Sequence, residues 1–196
     1  GTKTIVYSGP GGTPAYTTSV NFTNGVSTTT LATTLTKAET TSITATEGEF
    51  SGTSSNLVVN AGAMNKLIVT LPGETFTAGA GNSGTVTDQI AGTPFNIVSL
   101  TATDAYFNKV TSYDGVGKTI VWSGPAGSPS FTTSVNFTNG SSTTTLATTL
   151  TRAETTAITA RDGGLYGTAS SPLLVNAGLM TKLVVTLPGE TFTIGS

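Results

Sequence analysis

An all-β fold, built from sandwich-sized units repeated along the chain, is predicted by three observations. Threonine dominates the polar residues with 44 positions, glycine and proline punctuate the chain at strand-length intervals, and the sequence repeats itself with a period near 115 residues. Threonine is β-branched, so its side chain is stiff and suits a pleated surface better than a helix. Charged residues make up only 9% of the chain, far below the roughly 25% of an average soluble domain. Hydroxyls and amides therefore carry most of the polarity.

Composition also excludes chemistry. The chain has no Cys and no His. It can form neither a disulfide framework nor a thiolate metal site, and it lacks the usual general base and the usual transition-metal ligand. Ser-His-Asp, Cys-His and zinc-hydrolase mechanisms are out of reach. Any base would have to be Asp, Glu, Lys or Tyr, and no convergent set is evident. No enzyme activity, catalytic residue or cofactor is expected. Eight scattered Lys and Arg on a net charge of −2 offer no basic stripe, so nucleic acid is not an expected partner. No apolar run approaches the roughly 18 residues of a membrane-spanning helix, so membrane insertion is not expected.

The repeat sets the organisation. Residues 3–10 (KTIVYSGP) return as 118–125 (KTIVWSGP), 17–25 (TTSVNFTNG) return unchanged as 132–140, and 66–77 (KLIVTLPGETFT) return as 182–193 (KLVVTLPGETFT). The offset is 115, becoming 116 after a one-residue insertion near Ala169, and roughly seven aligned positions in ten are identical. Such a period is too long for a solenoid unit and close to one β-sandwich of about 100 residues. One complete unit is expected at residues 63–176. Residues 1–62 form a partial unit lacking its opening strands, and residues 177–196 form the opening strand of a further unit. This phase fits two arrangements: a window on a longer array, or subunits joined head to tail, with residues 182–193 of one completing the partial unit of the next by strand addition. The expected partners are neighbouring repeats or identical subunits in such a head-to-tail polymer.

Seven strands are predicted in the complete unit, at 67–71, 95–103, 118–122, 131–137, 143–150, 155–160 and 173–176. In the fourth, Phe131, Thr133, Val135 and Phe137 alternate with polar neighbours, as a half-buried strand requires. Asn139-Gly140 then favours the positive φ values of a type I′ hairpin turn. A turn is expected at 104–108, and further turns at Lys37-Ala38-Glu39 and Arg152-Ala153-Glu154. A weak helical pattern over 35–45 is too short and too threonine-rich to compete.

The run Ala91-Gly92-Thr93-Pro94-Phe95 followed by Asp104-Ala105-Tyr106-Phe107-Asn108-Lys109-Val110-Thr111 resembles a signature of bacterial immunoglobulin-like repeats. So does Ile158-Thr159-Ala160, then Gly167-Thr168, then Leu174-Val175-Asn176-Ala177-Gly178 leading into Lys182-Leu183-Val184-Val185. The resemblance covers essentially the whole period. It implies immunoglobulin-like β-sandwich repeats in tandem, in an extracellular or cell-surface stalk, fibre, filament or adhesin. It implies no catalytic residue. One departure is Phe107, where the family usually has Gly, and Asn108 is a candidate to take the left-handed conformation instead.

Three groups of side chains stand out as candidate sites. Asp104, Asn108 and Asp114 are oxygen ligands near one turn, as a Ca²⁺ site at a domain edge would need. The same groups suit bonding to their own turn backbone, which is the expected role, because no carboxylate cluster has calcium-loop spacing. Glu47, Glu49 and Phe50 in one repeat, and Arg161, Asp162 and Tyr166 in the other, fall where the copies diverge most. These loops are where an adhesin-type module would recognise a glycan or surface partner. The LPGET loops at Glu74 and Glu190 suggest a sorting signal at first sight, but their recurrence within each period marks them as the end of the first strand. The favoured function is structural.

Overall fold

The structure, a computed structural model, describes residues 1–165, 167 and 170–193. It is all-β, and no helix occurs among the described residues. The strands form several small sheets. The largest is five-stranded, in the order Lys66–Thr70, Ser99–Thr103, Ser141–Ser142, Ser134–Thr138 and Gly115–Thr119. Smaller sheets complete the central segment. Phe95–Ile97 and Ser130–Phe131 flank Leu146–Thr149, Val121–Ser123 pairs with Thr159–Arg161, and Leu173–Asn176 lies between Glu154–Thr156 and a parallel Gln89–Ile90.

One hydrophobic core serves this segment. Leu67, Val69, Leu71, Ile97, Leu100, Val135, Leu146, Ile158, Leu173 and Val175 all lie in it, with Trp122 and Phe131 packed against its side. Fully burying each Leu, Ile or Val contributes about 1.5–3 kcal/mol. The alternation read in the sequence holds in the second half of the strand predicted at 131–137, where Val135 and Phe137 are buried while Ser134, Asn136 and Thr138 are exposed; Thr133, expected on the inward face, is exposed. The hairpin after it turns at Asn139 (φ 48°) and Gly140 (φ 75°), the two positive values that a type I′ turn demands.

The leading segment repeats these ladders at the sequence offset. Lys3 faces Val20 as Lys118 faces Val135, Val6 faces Thr46 as Val121 faces Arg161, and Glu39 faces Val59 as Glu154 faces Val175. The stacked ring pairs recur as well, Tyr7 on Tyr16 at 4.5 Å and Trp122 on Phe131 at 5.0 Å. Burial recurs only in part: Ile5 and Val20 are buried like their counterparts Ile120 and Val135, but other positions open to solvent. Leu31 is 48% exposed whereas its counterpart Leu146 is 1% exposed. The difference has a visible cause: Leu146 pairs with Ile97, and nothing in residues 1–62 corresponds to Phe95–Ile97, Ser99–Thr103 or Lys66–Thr70. Residues 177–193 form no strand, and Leu183, Val185 and Leu187 are exposed where Leu67, Val69 and Leu71 are buried.

Four of the predicted strands are each broken in two, and the halves bond in different sheets. Residues 95–97 pair with Leu146–Thr149 while 99–103 pair with Lys66–Thr70, and the strand predicted at 118–122 divides at Ile120 between two sheets. Bends of this kind let one chain segment serve two layers. At Ile120 the alternation continues through the bend, so the sequence pattern does not reveal it. The turns expected at 37–39 and 152–154 are also shorter, because Glu39 and Glu154 already start strands.

A hairpin of Glu74–Thr77 with Gly81–Gly84 went unpredicted, since glycine is a poor strand former. Glycine is needed there for close approach. A Cβ on Gly84 would lie 2.5 Å from the carbonyl oxygen of Gly73. Side chains stitch this hairpin to the first strand: the Asn82 amide donates to the Val69 carbonyl (2.8 Å), and buried Glu74 accepts from the Leu71 N–H (2.8 Å).

Candidate functional site

The most elaborate polar constellation among the described residues is the turn at 104–108, which grips the leading segment. Asp104 organises it. Its Oδ1 accepts from the N–H groups of Tyr106 (2.8 Å) and Asn108 (2.9 Å). Its Oδ2 accepts from the Gly62 N–H (2.9 Å) and the Asn108 side-chain amide (2.9 Å). A carboxylate offers about four lone-pair sites, and all four are taken by N–H donors. Burial pushes the Asp104 pKa upward, but these four hydrogen bonds outweigh it and hold the carboxyl below its ordinary value of 3.8.

Asn108, held by Asp104, reaches the neighbouring segment. Its Nδ2 donates to the Thr36 carbonyl (2.7 Å), and its Oδ1 accepts from the Ala38 N–H (2.8 Å). One planar amide thus satisfies a backbone acceptor and a backbone donor two residues apart. Asn108 is 3% exposed and Asp104 is 4% exposed. A buried asparagine must find partners for its amide, and here two of them lie about 70 residues away in sequence.

Phe107 completes the turn in an unexpected way. It takes the left-handed conformation itself (φ 65°), correcting the assignment of that role to Asn108. A bulky side chain in this region costs roughly 1–2 kcal/mol. Its surroundings offset the strain. The Lys66 ammonium lies 3.6 Å from the ring centroid, the ring packs on Gly81, and the Phe107 carbonyl accepts from the Gly79 N–H (2.9 Å).

The other candidate residues lie apart from this turn. Asp114 accepts from the Asn139 N–H (2.5 Å) at the hairpin turn. No group of three or more Asp, Glu, His or Cys able to hold a metal occurs among the described residues. Glu47 pairs with Lys3 (3.0 Å), and its counterpart Asp162 sits 3.7 Å from Lys118 and accepts from the Tyr113 hydroxyl. Burial, aided by the Asp162 carboxylate, pushes the Tyr113 pKa up from 10.0. Both acids are thus engaged by a lysine of their own segment. Glu49 is exposed, and Phe50 beside it is 79% exposed at the start of Phe50–Thr53, the strand that pairs with Thr44–Glu47. Arg161 ends the strand Thr159–Arg161, and Tyr166 lies outside the described residues.

Sequence reasoning named Asp104 and Asn108 but missed their reach into the leading segment. Comparing the repeats could not supply that, because the 104–108 turn occurs once in this sequence.

No family model and no curated protein matches the chain. Among solved structures it is similar to domains 4 and 5 of the S-layer protein SbsC, at 15% sequence identity and a TM-score of 0.32, covering 71% of this chain. The match spans 65% of the length of that SbsC chain.

Proposed function

We propose that this chain is a structural module of an extracellular or cell-surface stalk, fibre or filament, and that it turns over no substrate. Its units are immunoglobulin-like sandwiches in tandem: part of one at residues 1–62, a complete one at 63–176, and the opening of another at 177–196. The observation that carries this reading is the Asp104–Asn108 clasp. Two buried polar side chains are spent on fixing one segment to the next, which is what a load-bearing joint requires and a catalytic site does not.

The matching ladders support modularity, because equivalent positions pair with equivalent positions on either side of the joint. The surface supports a solvated spacer. Low charge and abundant hydroxyls give solubility without strong electrostatic partners. Inter-subunit strand complementation is a further way to join modules, in which residues 182–193 occupy the open side of residues 1–62. Its counterpart Lys66–Thr70 bonds to Ser99–Thr103, so complementation also calls for an equivalent of that second strand. Negative-stain micrographs of the full chain test the proposal: slender particles support it, and compact equant ones oppose it.

The adhesin reading has one observation in its favour. Phe50, Phe22 and Ile5 line an apolar hollow rimmed by the Lys3–Glu47 pair. Phe22 is half-buried where its counterpart Phe137 is buried, so the hollow is more simply a partly uncovered interior of the leading segment. Glycan-array binding abolished by Phe50→Ala would favour the adhesin reading instead.

A further inference from the structure

Four groups hold the 104–108 turn, and all four occur a second time in the chain without such a turn. The first two are the Thr36 carbonyl and the Ala38 N–H, whose counterparts are Thr151 and Ala153 in the matching sequences LTKAET and LTRAET. The third is the Gly62 N–H, with counterpart Gly178, and the fourth is the Lys66 side chain over Phe107, with counterpart Lys182.

The Thr151–Ala153 loop of the second set is already shaped like its counterpart in the first. In the leading segment the Gly11 N–H donates to Glu39 Oε1 (2.6 Å) and the Thr13 N–H to Thr36 Oγ1 (3.0 Å). In the central segment the Ala126 N–H donates to Glu154 Oε1 (2.7 Å) and the Ser128 N–H to Thr151 Oγ1 (2.9 Å). Both loops are therefore set by bonds internal to their own segment, whether or not an asparagine caps them. The trailing segment also keeps its local turn, with the Leu187 N–H on Glu190 as the Leu71 N–H is on Glu74. What differs is cover: Thr36 is buried and Thr151 is exposed.

We infer that Thr151 and Ala153, with Gly178 and Lys182, form an open acceptor for the Asp-X-X-X-Asn turn of a further repeat of this kind. The inference rests on the stalk reading and adds the direction of growth and the identity of the contact. A second copy of the chain is not the occupant. Its own 104–108 turn is already held by its own residues 36, 38, 62 and 66. The occupant is a repeat whose turn has no such partners yet, so the joint propagates from one repeat to the next with fixed polarity.

Amide hydrogen exchange tests this in two steps. In the chain as it stands, the Ala153 N–H exchanges at least ~30-fold faster than the Ala38 N–H, since only Ala38 is bonded to an asparagine. Equal protection at both positions would overturn the inference without any variant. The chain is then extended after Thr193 by residues 78–176 of its own sequence, which supply the turn. The Ala153 N–H becomes as protected as Ala38, and Asn108→Ala in the added stretch alone returns it to its former rate. Core amides of the added stretch protected while Ala153 stays fast would refute the acceptor. The stalk reading fails separately, if the particles of either chain are compact and equant in micrographs.

Discussion

Replacing Asn108 with alanine removes three hydrogen bonds at once, to Thr36, from Ala38 and to Asp104. Each such bond contributes about 1 kcal/mol net, so about 3 kcal/mol is at stake. The cost would rise if the Thr36 carbonyl and Ala38 N–H stayed buried and unpaired, at about 1–3 kcal/mol each. They lie between segments, so opening the joint lets water reach them and limits the loss. The expected result is therefore a loosened joint on an otherwise intact fold. Protection of the Ala38 N–H falls about 100-fold, the equivalent of about 3 kcal/mol. Core amides such as those of Leu67 and Val135 hold their protection. The assay is residue-resolved hydrogen exchange, with Ala153 as the internal control because it occupies the same loop without the asparagine. Unchanged protection at Ala38 in Asn108→Ala would refute the reasoning, since the clasp would then contribute nothing to holding the segments together.

Three further outcomes follow from the same geometry. Leu146→Ala destabilises the fold by about 2–5 kcal/mol in chemical denaturation, whereas Leu31→Ala, at the counterpart position with half its surface already in water, costs less than about 1 kcal/mol. The folded-state pKa of Asp104 is depressed, so its contribution to stability is full above the ordinary value of 3.8 and is lost as pH falls below it towards the folded pKa. Thermal melts should show that acid-side loss in the parent and a smaller one in Asp104→Asn, which starts less stable at neutral pH. Phe107→Gly relieves the left-handed strain but gives up the Lys66 contact and the packing on Gly81. Melting temperature then changes little, while Lys66→Ala is destabilising in the parent and less so in the Phe107→Gly background, where only its bond to the Ala105 carbonyl is left to lose.

The all-β class was legible because threonine, glycine and proline act locally, through side-chain stiffness and backbone freedom. The Asn-Gly turn at 139–140 was legible for the same reason, since a dipeptide alone sets those two φ values. Strand breaks such as the one at Ile120 were not. Burial there is set by sheets on two sides, and alternation reads the same through that bend. The partner of Asn108 was hidden for a different reason. Asparagine near an aspartate satisfies a turn by itself, so nothing local signals that its amide also reaches Thr36 and Ala38. The conformation of Phe107 was misjudged because sequence rules favour Asn in the left-handed region, while the Lys66 ammonium and the glycine-rich hairpin that hold the phenylalanine there come from elsewhere in the chain.

The modular account is tested most directly by the axial spacing of the native material in electron micrographs. Sandwich units stacked end to end, at about 3.3 Å per strand residue plus loops, predict rods with a rise of roughly 35–45 Å per repeat. Isolated globular particles, or filaments whose spacing bears no relation to that length, would contradict it.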